Sequence, residues 1–321
     1  MLEDLRLRRR YDGFVFLAES VRNPPVIASH HHVELELNLV RRGEISYVLG
    51  QRRFTFGPRT LLWLFPAQEH QLVDRSADAE NYVVVFKPAL IASACHSPDY
   101  AALHRRKAAA DGVLSTVLPP DRFDLLRGML DSLLEGAPVA EVLNREVGFG
   151  LSKGFRYEHA DPDRLNAGLR HLLLLAWRGQ QAGGGNSAAV ALHPAVARAL
   201  EQLGDARGEL TLAHLARSCG ASEAHLSRMF ARQIGVPLAR YRNSLRLGRF
   251  WNHYRGGHTQ HTVAESAYAA GFGSYAQFHR VFTQAYGRGP RASLQSRPLD
   301  RKPARVRQTG TPRRSDWPAR K

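Results

Sequence analysis

The pattern that most narrows what this chain can fold into is written twice. Residues 210–237 read LTLAHLARSCGASEAHLSRMFARQIGVP, and residues 263–290 read VAESAYAAGFGSYAQFHRVFTQAYGRGP. Leu212 answers to Val263, an offset of 51, and Leu226 answers to Phe278, an offset of 52, so the second turn is one residue longer. Arg228 then aligns with Arg280, Phe230 with Phe282 and Gly235 with Gly287. In the first copy Thr211 can cap a short helix with Leu212, Leu215 and Ala216 on one face. Gly220 permits a tight turn, and Ser222 caps a second helix that buries Leu226, Met229, Phe230 and Ile234. That helix shows Ala224, Ser227, Arg228 and Arg232 to the outside. In the second copy Ser274 caps a helix whose outer side carries Tyr275, Ala276, His279 and Arg280. A short helix, a turn and a second helix with small and basic outward residues is what reading a DNA major groove requires. Arg228 and Arg280 are the residues expected to reach guanine O6 and N7. Between the copies, Leu238, Tyr241, Leu245 and Phe250 recur at helical spacing, so a connecting helix is expected to set the two readers about 34 Å apart, one turn of B-DNA.

Charge follows the same division. The chain carries a net +16. Residues 1–195 hold 23 Lys and Arg against 22 Asp and Glu, residues 196–296 hold 13 against 5, and residues 297–321 hold 9 against 2. The basic surplus belongs to the C-terminal part, which points to a polyanionic partner there and to a different task for the neutral half. The segment QQAGGGNS at 180–187 reads as a flexible linker at the same boundary. Residues 297–321, rich in Arg, Lys and Pro, are expected to be a disordered basic tail that adds nonspecific attraction to phosphate. Two cysteines, Cys95 and Cys219, argue against a disulfide framework and for a reducing cytoplasm. No secretory signal and no membrane-spanning run is visible, so no membrane partner is expected.

The first half changes period midway. Short apolar runs from Val26 to Phe86, such as Glu36–Val40, Ile45–Leu49, Phe54–Phe56, Leu61–Phe65 and Tyr82–Phe86, are broken by turn residues about every ten positions, as in a sandwich or barrel. From about Asp121 to Gln181 the stripes Phe123, Leu126, Leu130, Leu133, Leu134 and Leu165, Leu169, Leu172, Leu173, Ala176 are helical. Both fit a core, and one seam is expected to serve dimerisation. The expected architecture is multidomain: an all-β barrel at 1–110, a helical packing or dimerisation segment at 111–181, a Gly-rich linker at 182–195, an all-α domain with two helix-turn-helix units at 196–296, and the tail at 297–321.

With these residues in view, residues 196–295 resemble the DNA-binding domain of the AraC/XylS family of bacterial transcription regulators. The resemblance rests on LTLAHLARSCGASEAHLSRMFARQIGVP and AGFGSYAQFHRVFTQAYGRGP. It implies that both reader helices enter successive major grooves, with base contacts from Ala224, Ser227 and Arg228, then Tyr275, Ala276, His279 and Arg280. Three departures stand out. Ser266 occupies a place usually filled by a buried aliphatic residue, the closing motif becomes Pro290-Arg291-Ala292-Ser293-Leu294, and Gly256, Gly257, His258 and His261 enrich the entry to the second unit.

In the first half, His30-x-His32-x3-Glu36-x6-Gly43 resembles the first cupin motif. Pro66-Ala67-Gln68-Glu69-His70 resembles a shortened second motif, with Ala67 where glycine is usual. The N-terminal barrel is therefore expected to be cupin-like, of the arabinose-binding type. That resemblance implies either a divalent metal on His30, His32, Glu36 and His70, or an organic effector pocket lined by the same residues. Trp63, Phe65, Tyr47 and Arg41 are further lining candidates. Imidazole and carboxylate ligands suit iron, manganese, nickel or zinc equally. The expected function is sequence-specific transcription regulation under a small-molecule effector, without enzymatic activity. The expected partners are double-stranded DNA, the effector, a second copy of the chain and RNA polymerase. The alternative is a metal-dependent cupin enzyme fused to a DNA-binding module.

Overall fold

In the computed structural model, residues 5, 7–19, 29–106, 113–137, 157–183, 189–205, 210–256 and 261–295 are described. The expected tail with its Trp317, and Gly184, Gly185, Gly257 and His258, lie outside them.

The N-terminal half is built on two antiparallel sheets. One has the order β1 (Gly13–Glu19), β7 (Glu80–Phe86), β2 (Leu35–Arg42), β5 (Thr60–Leu64), β8 (Leu114–Val117). The other has the order β6 (His70–Arg75), β3 (Ile45–Leu49), β4 (Arg52–Phe56), β9 (Ala189–Ala191). Turns at Gly43 and Gly50, both at positive φ, set the β2–β3 and β3–β4 reversals. The sheets are longer than the sequence suggested: β8 lies in the stretch read as helical, and β9 lies in the stretch read as linker. β9 pairs with β4 through Arg52 and Ala191, Arg53 and Val190, and Phe54 and Ala189.

Strand alternation sorts the side chains into layers. Odd-numbered β2 residues Leu35, Leu37 and Leu39 join Trp63, Val84 and Phe86 in a core shared with α1 (Pro88–Ala94), α2 (Pro120–Leu134) and α3 (Pro162–Ala182). Both helical stripes are spent there: Leu126, Leu130 and Leu133 of α2 and Leu165, Leu169, Leu172, Leu173 and Ala176 of α3 are all buried. A second core fills the space between the sheets, with Val40, Ile45, Tyr47, Phe54, Phe56, Leu62, Leu64 and Leu72.

The C-terminal half is helical: α4 (Pro194–Asp205), α5 (Leu212–Ser218), α6 (Glu223–Ile234), α7 (Leu238–Gly256), α8 (Val263–Ala269), α9 (Tyr275–Tyr286) and α10 (Pro290–Gln295). The repeat read from the sequence is the repeat in space. Thr211 and Thr262 cap α5 and α8, and Ser222 and Ser274 cap α6 and α9. Gly235 and Gly287 close the two longer helices in the left-handed conformation. The two units have separate cores, and α7 serves both. Its Leu238, Tyr241 and Leu245 pack in the first, and its Leu247, Phe250 and Trp251 in the second.

Ser266 stands in the second unit's buried layer, 1 % exposed, and its hydroxyl finds no hydrogen-bond partner among the described residues. A buried hydroxyl without a partner costs about 1–3 kcal/mol of desolvation. Ser266→Ala is therefore expected to raise the unfolding free energy of the full chain by about 1 kcal/mol in urea titration; a decrease would show that the hydroxyl is satisfied in solution.

Candidate functional sites

Two sites emerge, one on each half. The reader helices α6 and α9 turn their apolar sides inward through Leu226, Met229, Phe230 and Ile234, and through Phe278, Val281, Phe282 and Ala285. Of the outward residues, Ala224, Arg228, Arg232, Tyr275, Ala276, His279 and Arg280 are exposed and Ser227 is half-buried. On α9 the Tyr275 ring lies 6.4 Å from that of His279, centroid to centroid. All eight residues named from the sequence thus sit on the free sides of their helices.

The N-terminal half docks onto the first unit without covering that side. Val48 and Val73, on the outer face of the four-stranded sheet, enter the first unit's core beside Phe230 and Tyr241. Gln71 donates a hydrogen bond to the Tyr241 hydroxyl. Arg53 donates to the Gln233 carbonyl in the last turn of α6 at 3.2 Å, to Ser46 Oγ at 2.9 Å and to Asp74 Oδ2 at 3.5 Å. Gly235 closes on this ion pair so tightly that a Cβ there would fall 2.7 Å from Asp74 Oδ2. The contact therefore falls on the C-terminal end of the reader helix.

The second site lies between the sheets. His32 Nε2, Glu36 Oε2 and His70 Nε2 converge, each within 4.8 Å of the others, and all three residues are buried. His32 Nε2 is 3.1 Å from Glu36 Oε2, and His70 Nε2 is 4.0 Å from it. His30 is near but outside this set. Its backbone exchanges two hydrogen bonds with His70, and its ring centroid lies 4.3 Å from that of His70. Both converging histidines are oriented from behind: His32 Nδ1 is 3.0 Å from the Glu34 carbonyl, and His70 Nδ1 is 2.9 Å from the Gln68 carbonyl. A carbonyl oxygen only accepts, so each Nδ1 carries its proton.

Glu36 is the start of a polar chain that the sequence reading missed. Asn38 Nδ2 donates to Glu36 Oε1 at 2.7 Å, and Asn81 Nδ2 donates to Asn38 Oδ1 at 2.8 Å. Arg75 donates to Asn81 Oδ1 and, at 3.3 Å each, to the carbonyls of Ala18 and Glu19. Burial opposes ionisation of Glu36. The His32 hydrogen bond, the nearby His70 and His32 and the Asn38 amide outweigh it and hold the carboxyl down at about 2. Burial and the neighbouring His30 push His70 down to about 3, against the pull of Glu36. Burial likewise lowers Arg75 to about 10. The signal that could have found this chain is Glu36-x-Asn38, two polar residues on one face of an otherwise apolar strand.

Other sequence candidates go elsewhere. Trp63, proposed as pocket lining, stands on the opposite face of β5 and packs edge-to-face on Trp177, centroids 5.6 Å apart. β5 is buried on both faces, so alternation alone could not fix its phase. Phe65 joins the same helix-side core. Arg41 reaches Glu80 at 3.5 Å. Tyr47 does point between the sheets, its hydroxyl 3.5 Å from Asn38 Oδ1. Ala67 has φ +59, a left-handed conformation in which a Cβ costs about 1 kcal/mol. Its amide donates to the His32 carbonyl at 3.1 Å, tying the two histidine segments together.

Comparison with known families agrees with both halves. Residues 15–146 match the AraC-like ligand binding domain, and residues 215–296 match a Helix-turn-helix domain. The chain belongs to the AraC family of transcription regulators. It is a DNA-binding regulator with an N-terminal ligand-binding domain. No curated protein matches its sequence. Among solved structures, ToxT from Vibrio cholerae is 14% identical with a TM-score of 0.32, over 88% of this chain and 98% of that one. The AraC-like transcriptional activator CuxR is 15% identical with a TM-score of 0.28, over 75% of this chain and 77% of that one. At these scores the superpositions are loose, and the family rests on the two domain matches.

Asn38→Ala would strip a buried donor from Glu36 and a buried acceptor from Asn81 at once. It is expected to lower the unfolding free energy by about 2 kcal/mol in urea titration; a loss under about 0.5 kcal/mol would mean that the polar chain is not cooperative.

Proposed function

We propose that the AraC-type regulator reads DNA with two unlike surfaces: Ala224, Ser227, Arg228 and Arg232 on α6, and Tyr275, Ala276, His279 and Arg280 on α9. The observation that carries this reading is the exposure of those faces while the opposite faces of the same helices are buried. Arg228 and Arg280 supply bidentate donors for guanine, and the remaining arginines of the basic half supply phosphate contacts. α7, with 19 residues, is a rod about 28 Å long at 1.5 Å per residue, and it holds the two units at one spacing. The effector acts from the space between the sheets, where the polar residues of the first half converge. A bound effector shifts the regulator between two states by the difference in its affinity for them.

The reading extends to self-association through the 111–181 segment. α2 leaves Leu125 46 % exposed beside its buried stripe. Contact with RNA polymerase, and action as a regulator rather than an enzyme, complete it. Among the described residues no helix is long and apolar enough to cross a membrane, and the proposed place of action is the cytoplasm, beside promoter DNA.

Selection of fragments from a random double-stranded DNA pool by the purified chain tests this reading. The expected product is a motif with two blocks centred about one helical turn apart. Arg228→Ala is expected to weaken binding to the motif about tenfold or more and to relax one block only, since a bidentate base contact is worth about 1–3 kcal/mol. Binding without a motif, unchanged in the variant and abolished by modest salt, would leave only charge attraction and overturn the proposal.

A further inference from the structure

We propose that the connecting helix α7 carries a phosphodiester-binding seam of its own, centred on Arg246 and Arg249, which grips the DNA backbone between the two blocks that α6 and α9 read. The proposal deepens the DNA reading given above and rests on it. The argument begins with a shortage of acid. From residue 224 to residue 299 the sequence has one acidic residue, Glu265. Its carboxylate is committed to the capping box of α8, accepting from the Thr262 amide at 2.8 Å and from the Thr262 hydroxyl at 2.9 Å. The arginines of α7 therefore find no carboxylate on their own helix, on α9 or in the turn that precedes α9.

The packing of α7 lines these arginines up. Leu238, Tyr241 and Leu245 face the first unit, and Leu247, Phe250 and Trp251 face the second. At 3.6 residues per turn the two faces leave a seam on each side of the helix. Ser244 and Gly248 fall on one seam. Arg242, Arg246 and Arg249, at i, i+4 and i+7, fall on the other. Arg242 donates to the carbonyl of Leu210, just before the Thr211 cap of α5. Arg246 lies over the Phe272 ring, 5.9 Å from its centroid, and donates to Asn243 Oδ1 at 3.3 Å. A Cβ on Gly271, at φ +88, would stand 3.8 Å from Arg249 Nη1 and 4.0 Å from Arg246 Nε. Two guanidinium groups thus meet at the turn that leads into α9.

This pair is built against its own charge. Both side chains are half-buried. Burial, and then the charge of Arg246, lower the pKa of Arg249. An anion between the two groups reverses both effects, and a phosphate offers oxygens that match the guanidinium fork. The position selects a phosphate of duplex DNA. In a helix-turn-helix the first helix crosses the backbone and the second enters the groove. The seam runs from the entry of the first unit's first helix to the entry of the second unit's reader helix. Along that line the duplex presents the sugar-phosphate backbone that separates two successive major grooves.

The test uses the full chain and a duplex carrying the selected motif, followed by fluorescence anisotropy over a range of salt. Neutral methylphosphonate linkages replace the phosphates between the two blocks. They are expected to weaken wild-type binding about fivefold or more, the scale of a lost charged hydrogen bond. Arg249→Gln should weaken binding to the unmodified duplex to a similar extent and lower the salt slope by about 1. It should leave the selected motif unaltered, since phosphate contacts carry no sequence. It should also be insensitive to the methylphosphonates, and Arg249→Lys should recover part of the affinity because the charge persists. A purely structural arginine behaves in the opposite way. Removing a repulsion should leave the urea midpoint of free Arg249→Gln no lower than that of the wild type. A lower midpoint together with lost binding would assign Arg249 to packing and overturn the site. An altered motif, or equal methylphosphonate penalties in wild type and variant, would overturn it as well. If selection yields no motif, bulk duplex at low salt separates the two claims. A salt slope lowered by about 1 in Arg249→Gln would then keep the phosphate site and sink the sequence reading, and an unchanged slope would sink both.

Discussion

Strands β3 and β6 bury both of their faces, and the arrangement of the two halves follows from that. One face closes the space between the sheets on Tyr47, Leu72 and His70. The other puts Val48 and Val73 into the core of the first reader unit. A strand in this position belongs to two cores at once, and neither core is complete without it. The first reader unit is consequently a layer of the structure, stacked on a sheet whose far side holds the polar cluster. Separation of the halves would return Val48 and Val73 to water and leave the Tyr241 hydroxyl and the end of α6 to find new partners.

The second reader unit has no such anchor among the described contacts. It depends on α7, which lends Leu247, Phe250 and Trp251 to its core. That core is unusually aromatic: Phe250, Trp251, Phe272, Phe278 and Phe282 crowd together, with Trp251 donating to the Tyr286 hydroxyl at 2.8 Å. Two units with one repeated pattern are thus held in different ways, one by a neighbouring sheet and one by a shared helix. Their outer faces differ as well, small and basic on α6, aromatic and imidazole-bearing on α9.

The helical half was legible because its signals are local. Caps at Thr211, Ser222, Thr262 and Ser274 and left-handed glycines at Gly235 and Gly287 need no distant partner to be recognised. Strands β2 to β5 and β7 were legible from alternation and turns. β6 was hidden, since HQLVDR carries four polar residues in six and is buried by elements far away in sequence. β8 and β9, four and three residues long, carry too little pattern to be read. In the polar cluster, His32, Glu36 and His70 stood out by type and spacing. Asn38, Asn81 and Arg75 did not, because a polar residue in a strand reads by default as a solvent-facing one. Trp63 failed for the converse reason: in a strand apolar on both sides, phase is decided by what covers each face.

The short strand β9 changes where the chain can be divided. The glycine-rich stretch looks like the natural place to cut, yet Ala189–Ala191 lies beyond it and completes the sheet of the preceding half. A fragment ended at the glycines would expose the edge of β4, where Arg52 and Phe54 alternate, as an open template for another strand. A fragment that begins there would carry away a strand with nothing to pair with. The polypeptide is thus bipartite in function but interlocked in topology, so a soluble sensing fragment should extend through Leu192.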